Sequence, residues 1–80
     1  MHELGLTRNV VAIVTEHARG RAVQQVRLAI GPLAGVERAA LAFCFDVVTA
    51  GTELEGATLA FIEAEGDTFL IKEFELVEIA

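Results

Sequence analysis

The stretch 26–32, which reads VRLAIGP, decides the fold of this chain. Val26, Leu28 and Ile30 alternate with residues that need not be buried, the period-two pattern of a strand with one buried face. The glycine-proline pair at 31–32 then breaks the pattern. The stretch therefore predicts a strand that ends at residue 30, and the other elements are placed around it.

Two amphipathic helices are predicted, one before this strand and one after it. From Leu6 onwards, apolar residues recur at three- and four-residue spacing, which predicts a helix over residues 4–19 that is capped by Gly20. A second apolar stripe starts at Val36 and is expected to end before Gly51. Each helix has one stripe to bury against a sheet.

The carboxyl-terminal part of the chain predicts two more strands. Residues 57–63 and 68–79 are rich in β-forming side chains, and the short segment 64–67 between them favours a turn. We expect the two strands to pair as an antiparallel hairpin. The fold class is thus α+β, in the order helix-strand-helix-strand-strand, with both helices packed on one face of a three-stranded sheet.

The last strand changes parity partway along its length. Phe69 and Ile71 share one parity, whereas Phe74 and Leu76 share the other. One extra residue between the two pairs would keep all four side chains on the same face. The sequence therefore predicts a β-bulge near residues 72–73.

Length and composition indicate one soluble domain that spans residues 1–80. Of the 80 residues, 54% are hydrophobic, which is enough for a core despite the small size. The longest apolar run, residues 39–45, is far shorter than the roughly 20 residues that cross a membrane. The start of the chain has no features of a secretory signal, and Cys44 is the single cysteine, so we expect a cytoplasmic location and no disulfide.

The charge of the chain disfavours nucleic-acid binding. Twelve acidic and six basic residues give a net charge of −6, and the arginines are scattered. A surface that neutralises phosphates needs clustered positive charge. Because the core is small and a sheet edge is exposed, self-association to a homodimer is expected, through strand pairing or the apolar face of a helix.

The amino-terminal tripeptide Met1-His2-Glu3 is the one segment whose position suggests a metal site. The terminal amine, the His2 backbone nitrogen and the His2 imidazole Nδ1 can close adjacent chelate rings around one ion. A fourth donor would come from the Glu3 backbone nitrogen, the Glu3 carboxylate, water or a partner. Nitrogen donors in a plane suit Ni(II) or Cu(II), of which Cu(II) binds more tightly wherever it is available.

Other residues with metal-binding or catalytic chemistry give weaker signals. His17 lies about 20 Å from the start of a continuous helix at 1.5 Å per residue, so it cannot join His2 in one site. Cys44 lies between two phenylalanines, a setting typical of a small buried residue. The sequence has no catalytic motif, and no Cys-x-x-Cys pair that could hold structural zinc.

Several stretches together resemble the HypA family. The resemblance runs almost unbroken from Met1 to about Glu63 and resumes at Gly66. The segments that carry it are MHEL at 1–4, VRLAIGPLAGVE at 26–37, AALAFCF at 39–45, DVVTAGT at 46–52 and EGA at 55–57.

This resemblance implies a metallochaperone, without turnover of its own, that inserts Ni(II) during [NiFe]-hydrogenase maturation and in some organisms urease maturation. It implies a HypB-type GTPase and the hydrogenase large subunit as partners, and it places the nickel site at Met1, His2 and Glu3. Family members carry a zinc domain with two Cys-x-x-Cys pairs where this chain has only the turn at 64–67, so no structural zinc is expected. The alternative is a HypA-like interaction module that has lost metal delivery.

Overall fold

The computed structural model describes residues 3–79, which form two helices and one three-stranded sheet. The predicted fold class and element order are confirmed. The elements are α1 (Glu3–Ala18), β1 (Val23–Ile30), α2 (Arg38–Thr49), β2 (Thr58–Glu63) and β3 (Phe69–Leu76).

The strands are arranged in the order β2-β1-β3, so β1 occupies the centre of the sheet. It pairs in parallel with β2, where Ile30 lies opposite Glu63, and antiparallel with β3, where Ile30 lies opposite Phe69. The predicted hairpin between the last two strands is therefore wrong, although these strands do run in opposite directions. Because β1 is the most completely buried strand, it is paired along both edges instead of lying at the side of a hairpin.

The connection between β2 and β3 consequently crosses the end of β1. It must span two strand spacings, about 10 Å, which residues 64–68 can do because an extended chain covers about 3.3 Å per residue. Two backbone hydrogen bonds hold it there: Gly31 N–H donates to the Thr68 carbonyl and Leu33 N–H to the Gly66 carbonyl, both at 2.8 Å. A short connection was thus a correct expectation, but shortness does not identify a hairpin.

Gly31 makes this crossing possible. A Cβ atom on Gly31 would overlap the backbone carbonyl oxygen of Gly66 and would lie 2.6 Å from that of Glu65. These neighbours are main-chain atoms, which cannot move aside as the end of a flexible side chain can. The glycine that ends the strand pattern in the sequence is therefore required by close packing of two backbones.

The predicted bulge in β3 is confirmed. Arg27 lies opposite Glu73 and Leu28 opposite Ile71, so Lys72 is an extra residue on β3. A second irregularity, at Gln24 of β1, was not predicted. Val23 lies three residues before Val26, so simple alternation would turn it away from the core, and the irregularity returns it to the buried side. The strand therefore begins earlier than the alternating pattern suggests.

The core lies between the helices and one face of the sheet. Its members have relative exposures of 7% or less, and they come from both helices, the central strand and the loop after α2. They include Val10, Val14, Val26, Leu28, Leu41, Phe45 and Leu54. Neither helix within residues 3–79 is long and apolar enough to cross a membrane.

We predict that Gly31→Ala lowers the free energy of unfolding by about 1–3 kcal/mol, the usual cost of forcing an atom into a packed site. Gly5→Ala is the matched control, because its added Cβ meets nothing within 4 Å. It should raise stability by roughly 0.4–1 kcal/mol, since alanine restricts the unfolded chain and favours helix. Urea denaturation of both variants tests the expectation, and a neutral Gly31→Ala would contradict the account of the crossing.

Candidate metal centre

Glu3 is the part of the predicted metal site that the structure describes; Met1 and His2 lie outside the described residues. Glu3 is the first residue of α1. The buried Thr7 hydroxyl donates to the Glu3 carbonyl oxygen at 2.7 Å, and this hydrogen bond stabilises the first turn of the helix. The residue that follows the predicted ligands Met1 and His2 therefore belongs to a regular helix that is packed against the core.

The Glu3 side chain joins the start of α1 to the start of α2. Its Oε2 accepts a hydrogen bond of 3.0 Å from the backbone N–H of Glu37, 34 residues further along the chain. Glu37 is itself the N-cap of α2, where its carboxylate accepts from Ala40 N–H at 2.7 Å and from Ala39 N–H at 3.4 Å. Two carboxylates thus share the amides at the positive end of one helix.

This environment lowers the pKa of Glu3 from its ordinary value of 4.5 to about 2, and the largest cause is the hydrogen bond from the Glu37 amide. A donor that bonds the ionised form stabilises it and makes protonation harder. The carboxylate is therefore ionised at every pH at which a nitrogen-ligated metal could bind.

The loop between β1 and α2 connects this carboxylate pair to the end of the sheet. At its start, Gly31 and Leu33 are bonded to the connection between β2 and β3; at its end, Glu37 is bonded to Glu3. Glu3 and the connection between β2 and β3 are therefore both hydrogen-bonded to the same loop. The sequence analysis did not predict the contact between Glu37 and Glu3, because no local pattern links residues 34 positions apart.

The structure keeps the other candidate residues away from Glu3. His17 is exposed in the last turn of α1, where a ring N–H donates to the Ile13 carbonyl at 2.8 Å, about 21 Å along the helix from Glu3. Cys44 is half-buried on α2. Within residues 3–79, no group of three or more His, Cys, Asp or Glu side chains is arranged to hold a metal ion.

A stability measurement tests the bond between Glu3 and α2. Because the folded-state pKa is lowered, the ionised carboxylate contributes stability above about pH 4.5, and this contribution is lost as the pH falls towards 2. We predict that wild type is more stable than Glu3→Gln by a constant amount near neutral pH and that this difference shrinks between pH 4.5 and 2. A difference that is independent of pH over this window would show that the charge has no part in the contact.

Comparison with known proteins identifies the family. The sequence model described as hydrogenase/urease nickel incorporation, metallochaperone, hypA matches residues 1–69. Hydrogenase maturation factor HypA from Nostoc punctiforme is 58% identical over 66 residues, which cover 82% of this chain and 58% of that protein. The corresponding protein from Geobacter sulfurreducens is 48% identical over 66 residues, 82% of this chain and 60% of the relative.

Solved structures share the fold. The solution structure of the Ni metallochaperone HypA from Helicobacter pylori superposes with a TM-score of 0.71 at 14% identity and covers 98% of this chain and 95% of that chain. The chain spans about 58% of the length of the Nostoc relative that it matches. The family match over 69 of 80 residues, together with the 58% identity to the Nostoc protein, establishes that the chain belongs to the HypA family.

Proposed function

We propose that this chain binds Ni(II) at its amino terminus and delivers it during [NiFe]-hydrogenase maturation, with urease as a second target. The observation that carries the proposal is the bond from Glu37 N–H to the Glu3 carboxylate, which fixes the first described residue after His2. A ligand set is effective when its backbone is held in place by contacts outside the coordination sphere. The family description, nickel incorporation, supports the choice of metal.

The proposed donors come from Met1, His2 and Glu3. The terminal amine of Met1, the His2 backbone nitrogen and the His2 imidazole Nδ1 supply three nitrogen atoms. Since the Glu3 carboxylate already accepts the Glu37 amide, we assign the fourth position to water or to a donor from a partner. Three nitrogen atoms in a plane, with the fourth position open to exchange, suit the square-planar geometry that Ni(II) adopts.

The placement of this site suits transfer to another protein. Leu4 is 44% exposed and Gly5 is also exposed, so the first turn of α1 faces solvent next to the donors. A partner can approach such a site and replace the ligands one at a time. We propose a HypB-type GTPase and the hydrogenase large subunit as the partners, a cytoplasmic location, and no catalytic turnover by the chain itself.

Nickel titration of untagged protein tests the site. Wild type should bind one Ni(II) per chain in a calorimetric titration, and His2→Ala should lose at least tenfold in affinity because it removes a ring of the chelate. An amino-terminal Gly-Ser extension should weaken binding to a similar degree, since the terminal amine is no longer a donor. Glu3→Gln, which keeps the three nitrogen donors, should still bind one ion.

His17→Ala is the matched control for histidine removal, because His17 is exposed and remote from Glu3. Its affinity should equal that of wild type. If the extended protein binds nickel as tightly as the native terminus, the proposed donor set is wrong. If untagged wild type binds no nickel at all, the chain is better described as an interaction module of the family.

We also propose that the domain folds without zinc. The connection at 64–68 is closed by its own contacts: the Thr68 hydroxyl donates to the Glu65 carbonyl at 2.7 Å, and Thr68 N–H donates to the same oxygen at 3.3 Å. The core cluster is formed by residues of both helices, the central strand and the loop after α2, and includes none from this connection.

Metal analysis of purified protein should find less than one-tenth of an equivalent of zinc, and EDTA should leave the thermal midpoint unchanged. A chain that needed zinc would unfold when the metal is removed. Recovery of one zinc ion per chain, or unfolding by the chelator, would contradict this expectation.

A further inference from the structure

We draw no further inference here: the strongest candidate, the apolar groove between α1 and the edge strand β3 that is lined by Leu6, Ile13 and Ile71, is open to solvent, and nothing among the described residues shows what covers it.

Discussion

The pairing of β1 along both of its edges is the constraint on which the rest of this structure depends. Val26 and Leu28 are almost completely buried, and their strand carries a ladder on each side. Because β1 is central, the chain that leaves β2 must cross above the end of β1 to reach the far edge. That crossing requires a residue without a side chain at position 31, and Gly31 supplies it.

The same crossing places the loop that leads to α2. The hydrogen bonds from Gly31 and Leu33 to the crossing segment hold the first half of this loop, and the carboxylate of Glu3 holds its end at Glu37. Two acidic side chains can lie at this point because the amides at the start of α2 are divided between them. Glu3 takes the amide of residue 37, and Glu37 takes those of 39 and 40. The capping contacts at the start of α2 thereby link the loop that leaves the sheet to the first residue of α1.

Patterns that are local in sequence predicted most of the fold. Alternation identified the central strand, and the change of parity between Ile71 and Phe74 identified the bulge at Lys72. Both features can be read from sequence because side chains that point inward are apolar and their spacing follows the strand. The hairpin prediction failed because a short turn fixes the length of a connection but not which strands it joins. The same limit applies to the site: MHE at 1–3 indicates donor chemistry, but the contact between Glu3 and Glu37 joins residues far apart in sequence.

The distribution of charge distinguishes the exposed surfaces of this small domain. On the open face of the sheet, Arg27 bridges Glu73 at 3.3 Å and Glu75 at 2.9 Å. Exposed ion pairs of this kind contribute little to stability, typically 0–1 kcal/mol, but they place charge in the middle of a face that could otherwise stack against another sheet. At the edges, the bulge in β3 and the shortness of β2 oppose strand pairing.

The outward side of α2 has none of these protections. Phe43 and Val47 are exposed on a regular helix, and Asp46 is the exposed charged residue of that helix. An acidic chain that keeps charge or irregular backbone on its sheet face and strand edges thus leaves this helix face as an exposed apolar surface. This apolar face and the contact between Glu3 and Glu37 use different residues, so a substitution at Phe43 should leave the bond from Glu37 N–H to the Glu3 carboxylate in place.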